Sequence, residues 1–298
     1  MKKKEFAFII VAGLMWGSSC LFIHALSPLG FSAGQMVSAR GVVSFVAMAL
    51  YALLFNRESF RIKLSDLPLF CGMGVLLFAT AYFYYLGVQR TSPSTAAVLM
   101  YMAPVYVLIF SVIFFHERFT PAKGISIFVM LVGCALVSGV VGGLAFDLVG
   151  MLFSFLSGVA YAAYSLLAKL LAQKKTSTVS LSIYSYLSMA IVSLFFAKPV
   201  EMAGLIAKEP AKSIPLLVGI GLVTFVIPYF LYTVSFRRLP AGTVSALAVV
   251  EPLAATLYSI FFLGERLTAA SGIGVFLILG AIVALGIFTG REPTSTEN

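Results

Sequence analysis

Residues 251–268 read EPLAATLYSIFFLGERLT, and residues 103–120 read APVYVLIFSVIFFHERFT. In both stretches an apolar run joins a proline near one end to a Glu-Arg-x-Thr element at the other. Thirteen positions separate Pro252 from Glu265 and Pro104 from Glu117, and the two copies are offset by 148 residues. The chain therefore contains an internal duplication.

The same offset relates residues on both sides of this stretch. It pairs Arg90 with Arg238, Thr95 with Thr243, Leu99 with Leu247, Gly124 with Gly272 and Phe128 with Phe276. Internal repeats of this kind in an apolar chain are typical of secondary transporters.

Composition places the chain in a membrane. Of its 298 residues 61% are hydrophobic and only 10% are charged, with a mean hydropathy of +1.05, so there are too few charges to cover a soluble globule. The net charge of +9 does not indicate a nucleic-acid partner, because the Lys and Arg residues lie between apolar runs, where they orient the chain. Cys20, Cys71 and Cys134 fall inside apolar runs and are expected to be small buried hydrophobes.

Ten apolar runs each approach the ~20 residues that a helix needs to cross the hydrocarbon core. They predict spans near residues 6–27, 32–55, 67–88, 94–115, 121–142, 148–171, 179–198, 213–236, 242–263 and 269–290. The first run resembles a signal peptide because it follows three lysines. It is too long for a signal-peptide core, and we expect it to be retained as a helix.

The positive charges orient these spans. With the N-terminus inside, the inner segments carry 14 of the 20 Lys and Arg residues and the outer segments 5, so both termini are predicted to be cytoplasmic. Because each half has an odd number of spans, the second half enters from the opposite side. The predicted fold is an all-α membrane protein of ten transmembrane helices in two inverted five-helix repeats. The repeats would occupy residues 1–143 and 144–290, followed by a polar cytoplasmic tail at 291–298.

With these features the chain resembles the EamA-type transporters of the drug/metabolite transporter superfamily. The resemblance covers residues 6–290. It rests on the ten predicted helices in two five-helix halves and on the duplicated Pro-x12-Glu-Arg-x-Thr element. Further motifs are Trp16-Gly17, Arg40, Gly158-Val159-Ala160-Tyr161 and Leu263-Gly264-Glu265-Arg266. Two positions depart from the family pattern, with His116 where glycine is usual and Tyr161 where tryptophan is frequent.

The resemblance implies a secondary transporter, often an exporter of amino acids, nucleobases or related metabolites, that works by alternating access. Helices 1–4 and 6–9 would line a central cavity. It also implies a multi-pass protein of the inner membrane, a monomer or homodimer in contact with lipid, and no cofactor. Coupling to protons, coupling to another ion and plain facilitation all stay open.

Two other classes of protein are possible. A facilitative channel or uniporter fits the apolar spans, but prolines at equivalent mid-helix positions suit alternation better than a static pore. A membrane-embedded enzyme would need paired acids, a Ser-His set or a metal cluster near one surface. The short loops hold no such set, so no catalytic residue is predicted.

Intramembrane polar residues are the first candidates for a site, because each is costly in hydrocarbon and usually faces a cavity or a partner. Glu251 lies roughly 13 Å into the ninth span at 1.5 Å per residue. Pro252 beside it donates no backbone hydrogen bond and should loosen the helix there, and Pro104 occupies the equivalent position in the first copy. We predict that Glu251 binds a cationic group or a proton. The alternative is a carboxyl group satisfied by hydroxyls of a neighbouring helix.

Arg40 lies about eight residues into the second predicted span. A guanidinium keeps its proton, so it needs an anion, carbonyl groups or water. It could bind a substrate carboxylate. Its position, about 12 Å from the end of the span, favours a structural or gating role instead, in which the side chain reaches the outer headgroups or carbonyls at a helix end.

Aromatic residues give the next signal, since all 13 tyrosines lie in predicted spans. Several come in pairs three residues apart, which puts both rings on one helix face. Rings with a hydroxyl suit a cavity that stacks a planar or amphipathic metabolite; the alternative is an interfacial belt or ordinary packing. Depth and family similarity favour Trp16, Tyr82, Tyr101, Tyr161 and Tyr229 as substrate contacts.

The remaining charged motifs lie at the ends of spans. Glu117 and Glu265, each followed by an arginine, would form structural corners or latch one conformation. The two histidines, His24 and His116, lie near opposite faces, so no metal site is predicted. Gly13 and Gly17 form a Gly-x3-Gly face that lets helices approach closely.

Overall fold

The computed structural model describes residues 3–90, 93–115, 119–137, 147–174, 176–264 and 268–290. Within these ranges the chain forms α-helices joined by short turns and contains no strand. The first half contains α1 (Lys3–Gly17), α2 (Ser19–Leu26), α3 (Ala33–Phe55), α4 (Leu67–Arg90), α5 (Pro93–Met100), α6 (Ala103–Phe115) and α7 (Pro121–Val137). The second contains α8 (Leu148–Gln173), α9 (Thr178–Ala197), α10 (Pro199–Lys208), α11 (Pro210–Gly221), α12 (Ile227–Ser235), α13 (Ala241–Leu247), α14 (Val250–Leu263) and α15 (Ala269–Gly290).

The helices account for the predicted apolar spans. Seven helical segments are long and apolar enough to cross a membrane, namely Lys4–Leu29, Ala33–Phe55, Leu64–Arg90, Leu148–Gln173, Thr178–Ala197, Pro210–Ser235 and Ala241–Leu263. Shorter apolar helices cover Ala103–Phe115, Pro121–Leu136 and Ala269–Leu285. Each predicted span overlaps one of these segments, and the chain is a multi-pass integral membrane protein.

The threonine that ends the duplicated motif has the same role in both copies. The Thr268 hydroxyl accepts a hydrogen bond from the Ser271 N–H, 3.1 Å away, at the start of α15. The Thr120 hydroxyl accepts one from the Lys123 N–H, 3.4 Å away, at the start of α7. A side-chain acceptor at this position satisfies an N–H that has no partner within the helix. Part of the duplicated motif is thus a helix-start signal.

The loosening predicted beside Pro252 is present, and the same break occurs beside the equivalent Pro104. The chain leaves the helix just before Pro252, between α13 and α14, and just before Pro104, between α5 and α6. Because Pro252 has no N–H, the Ala248 carbonyl accepts instead from the Glu251 N–H at 2.9 Å. This bond spans three residues, as in a 3₁₀ turn.

Two further interruptions occur in other spans. Ser18 separates α1 from α2, and its hydroxyl donates to the Met15 carbonyl at 2.7 Å. Between α11 and α12 the chain forms a π-helix, Leu222–Val226, where the Ile227 N–H donates to the Leu222 carbonyl. Pro228 follows directly and cannot supply the usual bond to the preceding turn. π-helical turns within α-helices are often found at functional sites.

The two halves interlock. The main contacts join α3 to α9, α4 to α8 and α9, α1 to α12 and α14, and α7 to α15. An offset of 148 residues maps α1 onto α8 and α4 onto the segment that ends in α12. The pairing of α1 with α12 is therefore equivalent to that of α8 with α4, so the sequence duplication is also present in the packing.

The predicted glycine face lets α1 approach α14 closely. A Cβ atom on Gly17 would lie 2.5 Å from the Ala254 Cβ and 2.8 Å from the Glu251 carbonyl oxygen, and one on Gly13 would lie 2.7 Å from the Val250 Cβ. These distances are shorter than contacts between real side chains. Only glycine permits this approach, which brings α1 against the first turn of α14.

Candidate functional site

A central cavity of about 670 Å³ lies where the interrupted helices meet. All four interruptions contribute to its wall, through Gly17 and Ser19, Tyr101 and Pro104, Thr224 and Phe225, and Ala248 and Glu251. Irregular backbone at membrane depth is tolerated where it lines a cavity, because polar groups there have partners other than lipid. The volume falls within the roughly 300–1,000 Å³ typical of small-molecule sites.

Glu251 faces this cavity from the first turn of α14. A helix N-terminus carries partial positive charge, which favours a carboxylate there. The Glu251 side chain makes no hydrogen bond or ion pair with any residue in the described ranges. The structure therefore differs from the alternative in which neighbouring hydroxyls satisfy this carboxyl group.

Arg40 faces the same cavity from α3. Its electrostatic neighbours are Tyr229 and Glu251, although no described ion pair joins the guanidinium to the carboxylate. The side chain thus turns inward, and not toward the headgroups as its position near the end of the span favoured. The cavity is the physical reason, because it gives the cation a carboxylate, Glu251, and a phenol, Tyr229, as neighbours inside the protein.

Aromatic rings form much of the cavity wall. Trp16, Tyr101, Tyr161 and Tyr229 all line it. The Trp16 and Tyr229 rings meet edge to face with centroids 5.0 Å apart, a favourable arrangement for aromatic pairs. Four of the five aromatic residues predicted as substrate contacts are therefore brought together around Glu251.

Tyr82 is the exception. It lines a separate cavity of about 570 Å³ beside α10, and its ring packs on Phe78 and Phe196 with centroids 5.2 and 4.6 Å away. Tyr84, two residues further along α4, lines the central cavity instead. Sequence reasoning also missed Ser245 and other small wall residues.

Several predicted residues remain outside the wall or outside the described ranges. Pro104 lines the cavity, whereas Pro252 is buried behind Glu251. Glu117 and Glu265 lie outside the described residues, so their predicted corner or latch role stays a prediction. Within the described ranges, no group of three or more His, Cys, Asp or Glu side chains is placed to hold a metal ion.

Among the described residues, the lining of the cavity extends toward one end of α1. Its lining continues to Ser27 and Ser32, beside the turn between α2 and α3. At the opposite end of α1, Arg238 Nε lies 3.4 Å from Glu5 Oε1. There the buried Lys169 Nζ also donates to the carbonyls of Phe236 and Leu239 at 3.2 and 2.8 Å. These polar contacts join the helices at an end that no described lining residue reaches, and we call it the closed end.

A multi-pass membrane protein with a charged cavity at its helix breaks belongs to the class that binds a small ligand within the bilayer. Its sequence agrees with this class in detail. The pattern of the EamA-like transporter family matches residues 3–139 and again residues 148–287. The chain is a member of the EamA-like transporter family, in which that domain occurs twice.

Individual relatives are transporters by name. An uncharacterized transporter of Archaeoglobus fulgidus is 31% identical over 213 residues, which are 71% of this chain and 74% of that one. The threonine/homoserine exporter RhtA of Escherichia coli (strain K12) is 27% identical over 271 residues, 88% of this chain and 85% of its own length. A crystal structure with 19% sequence identity shares the fold, with a TM-score of 0.79 over 96% of this chain and 98% of the other.

Proposed function

We propose that this protein is a secondary transporter that exports a small organic metabolite across the inner membrane by alternating access. Ten transmembrane helices would form two inverted repeats, residues 1–143 and 144–290, with both termini and the tail at 291–298 in the cytoplasm. The observation that carries the proposal is a carboxylate and a guanidinium that share one cavity without pairing, since each is left available for a ligand.

The two charges support an amphoteric substrate. Glu251 would bind an ammonium group and Arg40 a carboxylate, as an α-amino acid requires. Trp16, Tyr101, Tyr161 and Tyr229 would enclose the rest of the molecule. The name of the relative RhtA, a threonine/homoserine exporter, agrees with amino acids as the first class to test.

The closed end supports a direction of opening. With the N-terminus in the cytoplasm, the contact between Glu5 and Arg238 would seal the cytoplasmic side, and the cavity would open outward past Ser32. Export then requires a second state in which the Glu5 end opens and the Ser32 end closes. The proposal leaves three sources of energy open: a proton gradient, a gradient of another ion, or the substrate gradient alone.

Counterflow tests the function. Purified protein in liposomes preloaded with unlabelled threonine or homoserine should accelerate uptake of the labelled amino acid, because a carrier exchanges its ligand and a channel does not. Glu251→Gln should lower this exchange at least tenfold, about 1.4 kcal/mol of lost interaction. Glu58→Gln, an exposed carboxylate outside the cavity, is the matched control. Exchange by Glu251→Gln equal to wild type at every pH tested would refute the role of Glu251 and leave the fold unaffected.

A further inference from the structure

The central cavity has hydrogen-bonding atoms that no protein group satisfies. In the part of the chain that the structure describes, eight buried side-chain nitrogen or oxygen atoms lack a hydrogen-bond partner, and four belong to residues that line this cavity. They are Trp16 Nε1, Arg40 Nε, Tyr161 OH and Ser245 Oγ. Most buried polar groups in proteins have partners, so such a concentration needs an explanation.

Three of the residues that carry these atoms, Trp16, Tyr161 and Ser245, lie beside one side chain, the buried Tyr232. The Trp16 and Tyr161 rings lie 5.3 and 5.9 Å from the Tyr232 ring, centroid to centroid. The Tyr161 and Ser245 hydroxyls lie near the Tyr232 hydroxyl, but neither makes a regular hydrogen bond with it or with another described group. The Tyr232 hydroxyl already bonds to the Ser165 hydroxyl at 2.8 Å.

Behind the wall, the polar groups are satisfied. The Tyr164 hydroxyl bonds to the Thr233 hydroxyl at 3.1 Å, and the Ser165 hydroxyl also donates to the Tyr161 carbonyl at 2.9 Å. Trp16 and Ser245, which are only 6% and 1% exposed, stand at the wall itself and remain unpaired. Within this cluster the unpaired atoms therefore belong to the residues that line the cavity.

We infer that Trp16, Tyr161 and Ser245 form a polar subsite for a hydroxyl or carboxamide group of the substrate. The indole N–H can only donate, while the two hydroxyls can donate or accept, so together they match a group that does both. Ser245 lies in α13 and Glu251 in α14, on opposite sides of the break between these helices, so we assign the subsite to the end of the substrate away from its charges. The inference rests on the proposed function, and it adds that the side chain of the amphoteric substrate carries a hydroxyl or carboxamide group.

Substrate pairs of nearly equal shape test the subsite. Threonine with valine, homoserine with norvaline, and asparagine with leucine differ mainly by the polar group. Each is tested as the preloaded competitor in counterflow and as a thermal-shift ligand. Wild-type protein should prefer the polar member of at least one pair tenfold or more, because a site built for a hydrogen bond rejects the analogue that lacks it. Ser245→Ala and Tyr161→Phe should each lower that ratio at least threefold.

A matched control separates recognition from folding. Ser193→Ala removes a buried hydroxyl that bonds to the Ala190 carbonyl at 2.9 Å and lies outside the cavity wall, and it should keep the wild-type ratio. Without ligand, Ser245→Ala should be at least as thermally stable as wild type, because it removes an unpaired buried group. A merely structural hydroxyl would lower the melting temperature and leave the ratio unchanged.

The outcomes also separate the subsite from the function as a whole. Equal preference for both members of all three pairs in wild type, or an unchanged ratio in both Ser245→Ala and Tyr161→Phe, overturns the subsite. The transporter proposal would still stand if those amino acids exchange and Glu251→Gln reduces the exchange. If no member of any pair exchanges, both the amino-acid assignment and the subsite are wrong.

Discussion

Gly17 shows how a single residue without a side chain positions the site. A Cβ atom there would lie 2.5 Å from the Ala254 Cβ and 2.8 Å from the Glu251 carbonyl oxygen, so Gly17→Ala must push α14 away from α1. Overpacking of this kind costs about 1–3 kcal/mol. We expect the variant to melt at a lower temperature and to exchange substrate more slowly, as measured by thermal unfolding and counterflow.

Gly280→Ala is the control for this prediction. Nothing lies within 4 Å of a Cβ atom at Gly280 in α15, so the added methyl group meets no neighbour, and alanine favours a helix over glycine. Its melting temperature should equal or exceed that of wild type. A Gly17→Ala protein as stable and active as Gly280→Ala would show that the close approach of α1 to α14 is not required.

At the scale of single residues, charge and ring chemistry could be predicted and orientation could not. A carboxylate and a guanidinium in apolar spans have few favourable places, so the sequence marks Glu251 and Arg40 as site candidates. It does not show that Arg40 turns inward, because that depends on α3 packing beside a cavity. Tyr82 and Tyr84 are equally suitable by type. In the structure, Tyr84 lies on the face of α4 that lines the cavity. Its neighbours on that face, at helical spacing, are Leu77, Thr80, Ala81 and Val88.

At the scale of elements, the prolines determine where the spans break. Pro252→Ala restores the N–H that would donate to the Ala248 carbonyl and should let α13 and α14 approach one continuous helix, with equal or higher stability, because the proline prevents that bond. The cavity wall would lose its irregular backbone. We therefore expect at least tenfold slower counterflow together with an unchanged or raised melting temperature.

Pro210→Ala tests whether any proline gives this result. Pro210 starts α11, a position that tolerates proline because the first N–H has no partner within the helix. This variant should match wild type in both measurements. Loss of stability in Pro252→Ala, or unaltered exchange, would contradict the view that the break serves the site.

Most elements were predictable because length and hydropathy alone specify a membrane-spanning helix. The breaks before Pro104 and Pro252 were predictable too, since a missing N–H is a local property. The π-helix at Leu222–Val226 was not, because several registers of the turn before Pro228 are compatible with the sequence. Packing against neighbouring helices selects among them.

At the scale of the whole molecule, interlocked halves limit how the cavity can open. Because α1 packs on α12 and α4 on α8, a change at one end of the cavity must move helices of both halves. The contact between Glu5 of the first half and Arg238 of the second crosses this interface at the closed end. Alternating access, as proposed above, requires that it separate in every cycle.

A crosslink at this contact should therefore stop exchange. The three native cysteines, Cys20, Cys71 and Cys134, are first replaced by alanine, and Glu5→Cys is combined with Arg238→Cys. A short bifunctional thiol reagent with a cleavable disulfide should lower counterflow at least tenfold, and reduction should restore it. Because the open end of the cavity is untouched, the thermal shift produced by substrate should persist, which distinguishes a blocked cycle from a lost site.

The ion pair of Lys198 and Glu201 provides the control crosslink. These residues lie one turn apart at the start of α10, with Nζ and Oε1 separated by 3.1 Å, so Lys198→Cys with Glu201→Cys joins positions that need not separate. The crosslinked control should exchange at the uncrosslinked rate. If the protein crosslinked between positions 5 and 238 also does so, the closed end does not open during the cycle, and the substrate must leave by a path that keeps α1 and α12 together.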